Sequence, residues 1–407
     1  MRGQPAGWSR SSGDVVAPDA GSTVHQLIDE RIGLTVHLVI DRIVEGLCAG
    51  GLRFAPDVSV ERLGRLARLM TLKFAVMGLG IGGAKAGIAG RRRGTGIDPL
   101  LLRAGELLRP HLEAGFLMGE DLGTTGDDIV ALYRRAGVDP IAVVRSHLLD
   151  RGVAPSVPSW VQLADLFSDQ QVSRLAGAGV AESVMAGAAV LALPLDTLTV
   201  AIQGYGTVGM AAAHRLAEAG ATIVAVAVER ATLLDPGGLD VADLEGARDH
   251  LGRIDRSRLS RPVTVLSRDD WCRLPVQVLI PAAVEDAITS RHLSRLSRRV
   301  RLIVEAANAP VDPATEAVLE QAGVAVVPDF IANSGSAAGW GALASGRLQS
   351  PTEMLEEACA RIAWATTQVL GSGLPGRTAR ERALALAAMA GDIQARNDST
   401  SVPLPRS

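Results

Sequence analysis

The hydrophobic pattern divides the chain into two halves of different texture. In the first half, strand-like runs such as Thr35–Ile40 mix with helical patterns. Over Val60–Phe74, Leu63, Leu66, Leu69 and Met70 recur at three- to four-residue spacing, which predicts a helix with one apolar face. From about residue 195, short β-rich runs alternate with helices: Thr197–Ile202, Thr222–Val228, Val276–Ile280, Arg301–Glu305 and Val324–Val327. Strand–helix–strand alternation implies a parallel sheet covered by helices. Pro351–Gln394, rich in alanine and leucine, predicts helix. The expected architecture is α/β with two lobes. A first lobe spans 23–190, a second spans 191–334, and the C-terminal helices of 335–407 pack back on the first. Residues 1–22 are Gly/Pro/Ser/Arg-rich without an apolar run and read as a loose tail rather than a signal peptide. The stretch after Gln394 looks similar.

Composition narrows the class. A chain of 407 residues, 47% hydrophobic and 21% charged, can bury sizeable cores and is not disordered. A net charge of −3 with 3% aromatic residues gives no basis for a nucleic-acid partner or an anionic membrane surface. No apolar run reaches membrane-spanning length; the nearest, Val184–Val200, is broken by Pro194 and Asp196. Cys48, Cys272 and Cys359 are too few and too scattered for a disulfide framework or a metal site, so a reduced, cytoplasmic setting without metal is expected. Of the 41 basic residues only Lys73 and Lys85 are lysine; the rest are arginine. Lysine can surrender its proton and arginine cannot, so two lysines surviving twelve residues apart point to chemistry. Codon bias with two chance survivors is the plain alternative.

The segment DTLTVAIQGYGTVGMAAAHRLAEAGATIVAVAV sets Gly204, Gly206 and Gly209 between a strand and an amphipathic helix, with a second strand following. In that frame the glycines allow a tight turn and let a pyrophosphate approach the helix N-terminus, where amides and the helix dipole favour anions. Gly204, Tyr205, Gly206, Thr207, Val208 and Gly209 are therefore cofactor-binding candidates, the alternative being a glycine-rich packing turn. Val228 stands where the ribose-binding acid is expected, followed by Glu229 and Arg230. Glu229 suits the ribose hydroxyls of NAD and Arg230 the 2′-phosphate of NADP, so both cofactors stay open.

Both lysines lie in MTLKFAVMGLGIGGAKAGI, where Gly78, Gly80, Gly82, Gly83 and Gly87 allow the backbone to lie against a small ligand around Lys85. A lysine desolvated there can act as a base, while Lys73 stays charged and holds a carboxylate. GEDLGTTGDD offers Glu120 and Asp121 as a proton shuttle, with a cap or turn role for Asp121 equally open.

These motifs together resemble the glutamate/leucine/phenylalanine/valine dehydrogenases. AGGLRF (Ala49–Phe54), MTLK…GGAKAG, GEDLGTT, GYGTVG, VLIPAAVEDAIT, EAANAP and PDFIANSGS occur in the family's order between residues 30 and 345. The resemblance implies an N-terminal substrate-binding and oligomerisation domain and a Rossmann-type nucleotide domain, in a homo-oligomer built through the first lobe. It implies that Lys85 is the catalytic lysine, that Lys73 binds the substrate α-carboxylate beside Gly50 and Gly51, and that Asp121 exchanges protons with the amino group. Asn308 would lie near the nicotinamide and the carboxylate. Hydride would leave Cα for the nicotinamide, water activated by Lys85 would attack the iminium, and Asp121 would help to expel ammonia, with the lobes closing to exclude water.

The chain also departs from the family pattern. Glutamate-specific members carry a lysine where this chain has Ala49. A buried distal carboxylate left without a partner costs about 3–5 kcal/mol, more than the roughly 1–3 kcal/mol at stake per methylene in an apolar pocket. The expected substrate is therefore an apolar amino acid, branched or aromatic, in a pocket of Ala49, Gly119, Ala337 and Trp340; core packing is the other reading of Trp340. Ala176 stands for a threonine, and SGSAAG (334–339) replaces an alanine-glycine-glycine run. Two alternatives remain: the same reaction on glutamate with an arginine such as Arg53 supplying the missing cation, and a catalytically silent dinucleotide-binding relative.

Overall fold

A computed structural model describes residues 15–16, 21–92, 94, 96–153, 171–249, 253–344, 351–371 and 373–397. The expected tail at 1–22 lies almost wholly outside them. The chain divides into two units, one of Met1–Gln171, Ala337–Met354 and Gly391–Ser407, the other of Val172–Ser336 and Leu355–Ala390.

In the first unit β1 (Val15–Val16), β2 (Thr23–Asp29), β3 (Leu34–Ile40), β4 (Cys48–Ala55), β5 (Gly82–Ala89) and β6 (Phe116–Glu120) form one sheet in the order β1-β2-β3-β5-β4-β6. The inner strands β5, β4 and β6 run parallel, so their carboxyl ends share one edge, while β3 joins them antiparallel. Helices α1 (Val60–Val76) and α2 (Pro99–Glu113) make the crossovers that parallel pairing requires, and α3 (Gly126–Ala136) and α4 (Pro140–Asp150) follow β6. Ser59 caps α1 by accepting the Arg62 amide, and the helix buries Leu63, Leu66, Ala67 and Phe74. The predicted apolar face is thus present, with Leu69 and Met70 at its half-buried rim. The helix runs on through Lys73, which lies in its last turn.

Glycine lets α1 rest directly on β5. A Cβ at Gly83 would lie 2.2 Å from the Thr71 amide nitrogen and 2.3 Å from the Ala67 carbonyl oxygen, and the Gly83 amide donates to Thr71 Oγ1. Gly82 meets the Arg42 backbone in the same way. Sequence reasoning assigned these glycines to ligand approach; the structure uses them for helix-on-strand packing. At the far edge of the sheet, the buried Tyr133 hydroxyl of α3 accepts the Met118 amide of β6 at 2.6 Å.

The second unit starts with α5 (Gln171–Val190). It continues through β7 (Thr199–Gln203), α6 (Thr207–Glu218), β8 (Thr222–Ala227), β9 (Ala231–Leu234), α7 (Val241–Gly246), β10 (Thr264–Ser267) and β11 (Val278–Pro281). Then come α8 (Ser290–Leu293), β12 (Leu302–Val304), α9 (Pro313–Gln321), β13 (Ala325–Val327) and α10 (Asp329–Ala332). The sheet order is β10-β9-β8-β7-β11-β12-β13, with β8, β7, β11, β12 and β13 parallel. From β7 the chain winds outward to β8 and then returns to β11 on the other side, so the strand order reverses at β7. This is a Rossmann-type doubly wound sheet, in which ligands bind at the carboxyl end of the reversal point. The predicted strands match to within two residues. Trp271, Leu279, Ile303 and Val326 are part of its buried core.

Helix α11 (Gly335–Ala344) precedes α12 (Pro351–Leu370) and α13 (Ala379–Asn397). The expectation that the C-terminal helices join the first lobe fails for residues 355–390. Thr366 of α12 donates to Ser183 of α5, both buried, and Arg380 of α13 pairs with Glu316 of α9. α5 also belongs to the second unit, because Gly177 packs against the α6 backbone, and the expected boundary at 190 moves to 171.

Two alanine substitutions separate packing from propensity. A Cβ at Gly64 in α1 meets nothing within 4 Å, so Gly64→Ala should raise stability by up to about 1 kcal/mol. Gly83→Ala should lower it by about 1–3 kcal/mol or more through overpacking. Thermal unfolding of both variants checks the two signs.

Candidate active site

Three buried or half-buried charged side chains converge at the carboxyl edge of β5, β4 and β6. Lys85 sits within β5 and, by continuation of the β4–β5 register, lies level with Gly51. Arg53 is in β4, and Asp121 directly follows β6. Asp121 Oδ2 receives Lys85 Nζ at 3.0 Å and Arg53 Nε at 2.9 Å, with side chains 7% exposed for both cations and 16% for the acid. Burial pushes the Asp121 carboxyl up, but the adjacent Lys85 and Arg53 charges and their hydrogen bonds outweigh it and hold it well below the usual carboxylate range. The amine that sequence reasoning pictured as alone among glycines is thus paired with the carboxylate expected to share its chemistry.

The turn after β6 aims that carboxylate. The Asp121 amide donates to Thr124 Oγ1, which in turn donates to the Leu52 carbonyl at 2.9 Å, tying the turn to β4. Gly123 takes φ +85° against the Phe54 carbonyl. The cap of α3 is Thr125, reciprocated by Asp128, so Asp121 is not the helix cap and its side chain is left to the two cations. Glu120 is half-buried, and burial raises its carboxyl.

Ala49 and Gly51 share a face of β4 with Arg53 by strand alternation. Ala49 is buried opposite Leu117, and Gly51 pairs with Gly119 of β6. A Cβ at Gly51 would lie 2.9 Å from the Asp121 Cβ, and one at Gly50 would lie 1.7 Å from the Ala84 carbonyl oxygen. The glycine pair is therefore required by its neighbouring strands. Lys73 is buried in the last turn of α1, two residues beyond Thr71, whose hydroxyl is bonded to Gly83 and Asp41. Ala176 and Ala337 are buried; the side chain of Trp340 lies outside the described residues.

In the second unit the turn after β7 occupies the reversal point of the sheet. Its three glycines serve different ends. Gly204 adopts φ +93°; Gly209 must be bare because a Cβ would lie 2.0 Å from the Gly204 carbonyl oxygen; and Gly206 faces open space. Gly206 caps α6 with no side chain, leaving the first-turn amides around Thr207 and Val208 to an external acceptor. These features fit a dinucleotide pyrophosphate. Tyr205 is turned away, its hydroxyl donating to the Val241 carbonyl, so only its backbone faces that space. Glu229 and Arg230 are exposed on the β8–β9 turn, and Glu229 pairs with Arg253 at 3.5 Å. Both cofactors stay open at this turn.

Asn308 lies in the loop after β12. That loop is fixed by residues the sequence did not single out. Asn333 Nδ2 donates to the Ala306 and Ala307 carbonyls, and Asp329 Oδ2 accepts the Ala309 amide at 2.9 Å. Glu305, Glu316 and Arg380 surround Asp329 in turn. These contacts span up to 75 positions; EAANAP and PDFIANSGS carry some of the residues, but neither segment shows that they meet or that Arg380 joins them. Among the described residues no group of three potential metal ligands occurs.

Comparison with known proteins matches two family models, Glutamate/Leucine/Phenylalanine/Valine dehydrogenase over residues 170–370 and the Glu/Leu/Phe/Val dehydrogenase dimerisation domain over 38–135. A glutamate dehydrogenase of Aeropyrum pernix is 33% identical over 300 residues, 70% of this chain and 66% of that protein. One from Thermotoga maritima is 31% identical over 315 residues, 74% of this chain and 70% of that protein. The matches thus span about two thirds of these relatives' own length. A crystal structure of hetero-hexameric glutamate dehydrogenase from Thermus thermophilus, a Leu-bound form, superposes with a TM-score of 0.70 at 25% identity, covering 94% of this chain and 90% of that one.

The Asp121 cluster has a defined pH signature. Because the folded carboxyl titrates below its unfolded value, the ion pairs stabilise above the unfolded carboxylate pKa of about 4 and that stability is lost as pH falls further. Asp121→Asn strands two buried cations and should cost about 3–5 kcal/mol at pH 7. Unfolding midpoints measured from pH 7 downward should show the gap between variant and parent narrowing below about pH 4.

Proposed function

The chain belongs to the Glutamate/Leucine/Phenylalanine/Valine dehydrogenase family, oxidoreductases acting on CH–NH2 donors with NAD or NADP, and we propose that it reversibly deaminates an L-α-amino acid to its 2-oxo acid and ammonia. The observation that carries the proposal is the 3.0 Å pairing of Lys85 Nζ with Asp121 Oδ2 inside a buried, glycine-bounded edge of the first sheet. A proton can pass across that distance, as a reaction requires that must take one from water and return one to a departing amine.

The dinucleotide supplies the hydride acceptor, held by the bare turn at Gly204–Gly209. The remaining work belongs to the chain. Lys73 holds the substrate α-carboxylate, which fixes Cα. Once hydride has left Cα, the Lys85 amine takes a proton from the water that attacks the iminium carbon. Lys85 returns that proton through Asp121 to the amino group, the carbinol O–H gives its proton to Lys85 as the carbonyl forms, and the C–N bond breaks to release ammonia. Arg53 supplies fixed positive charge beside the developing anions, where a preorganised site gains most.

For the substrate side chain, glutamate is the first reading, supported by the relatives, which are named glutamate dehydrogenases. Arg53 adds to it: its Nη1 is buried without a hydrogen-bond partner, a donor suited to a second carboxylate. The apolar reading drawn from the sequence keeps one observation in its favour, the buried Ala49 on the same strand face as Arg53. We further infer a cytoplasmic homo-oligomer assembled through the first unit. Its support is the dimerisation-domain match and the absence, among the described residues, of a helix able to cross a membrane.

A panel of 2-oxo acids with ammonia, run with NADH and with NADPH and followed by absorbance, tests the reading; no turnover with any pair sinks it. Lys85→Arg should lower kcat about 10²–10⁴-fold, the usual worth of a general base, while NAD(P)H still binds. If glutamate is the substrate, 2-oxoglutarate leads the panel and Arg53→Met raises its KM. If the pocket is apolar, branched 2-oxo acids lead and Ala49→Lys shifts preference toward 2-oxoglutarate.

A further inference from the structure

A buried ionic cluster in the second unit takes part in no step above. Glu305 and Asp329 are fully buried and Glu316 is 1% exposed, while Arg380 reaches them from α13. Arg380 Nε bonds both Glu316 oxygens at 2.7 and 2.8 Å, and Nη2 bonds Glu305 Oε2 at 2.7 Å. Nη1 lies 3.4 Å from Asp329 Oδ1, and the guanidinium stands 5.5 Å from the Phe330 ring centroid. The Asp329 amide also donates to Glu305 Oε2. Three carboxyls thus face one guanidinium, whose planar fork can serve all three where a lysine could not. The far side of Asp329 holds the Ala309 amide, and Ala309 adopts φ +45°, a left-handed conformation that a non-glycine residue keeps only when its surroundings enforce it.

We propose that Arg380 is a positioning residue for the loop carrying Asn308: it balances the buried Glu305, Glu316 and Asp329, and Asp329 in turn pins the Ala309 amide beside Asn308. The inference rests on the reading of Asn308 as a site residue. It gives the C-terminal helix a part in the reaction although α13 contributes nothing to the nucleotide turn.

The cluster also has a proton to lose. Burial, together with the Glu316 and Asp329 carboxyls, pushes the Glu305 carboxyl up against the pull of Arg380. Glu305 Oε1 is buried with no partner, so nothing balances it once the acid's proton is gone. Raising the pH removes that proton and adds a negative charge that one guanidinium cannot balance. The loop therefore loosens on the alkaline side.

The test uses the full chain and reads kcat, NADH affinity by fluorescence and melting temperature across pH. Arg380→Gln should lower kcat about tenfold or more well below its melting temperature, since small misplacements of a site group carry large rate costs. Adding Glu316→Gln to that variant, which removes the carboxylate Arg380 bonds through both oxygens, should recover most of the loss. Glu305→Gln alone, which imitates the protonated acid, should move the alkaline limb of the kcat profile upward. Arg380→Lys, with its charge but not its fork, should fall between parent and Arg380→Gln, and it serves if Arg380→Gln does not fold. Asn308→Ala is measured alongside. If it is impaired while the Arg380 variants lose only melting temperature, or if the double variant is no better than the single, the inference is overturned. A silent Asn308→Ala overturns the assignment of Asn308 and the positioning route with it.

Discussion

One carboxylate shared by two buried cations organises the first unit. Asp121 is ionised in a setting that would otherwise protonate it, because Lys85 and Arg53 reach the same oxygen from adjacent strands. Those reaches exist only because β5, β4 and β6 are parallel and in tight register, so that side chains leave them at one edge. The register depends on Gly50 and Gly51, where any side chain would strike the neighbouring backbone. Backbone packing and site electrostatics are in this sense one constraint, since widening the strands to admit a Cβ would also separate the charges.

Much of this was legible in the sequence, for identifiable reasons. A chain that has discarded lysine elsewhere marks Lys73 and Lys85 by their presence, and the strand–turn–helix frame around Gly204 specifies its own geometry. Asp121 was visible as a candidate but not as a partner, because its role depends on Thr125 taking the cap of α3, a matter of local competition between two turn residues. The glycines around Lys85 were misread. A glycine that accommodates a ligand and one that accommodates a helix look the same in one dimension, and here Ala67 and Thr71 of α1 decide the matter. Asp329 sits inside the PDFIANSGS segment, but its partners Arg380 and Glu316 were invisible, since they lie on separate helices and carry no periodicity or motif. The placement of α12 and α13 failed for the same reason: alanine-rich helices announce themselves but not what they pack against.

The two units solve the problem of placing charge differently. The first leaves its acid ionised with cations in excess, a setting that favours anionic substrate groups. The second gathers three acids around one guanidinium, and burial pushes the Glu305 carboxyl up. The first arrangement suits chemistry at the reacting atoms. The second suits holding a loop still.

The phenol of Tyr133 lends the edge strand β6 a feature that strand pairing alone would not. By accepting the Met118 amide, it occupies a position that another chain's backbone would take if a foreign strand docked alongside. Such docking would have to evict a buried hydroxyl that burial keeps protonated. One amide of that margin is thereby closed to a foreign strand by a ring on the helix behind it.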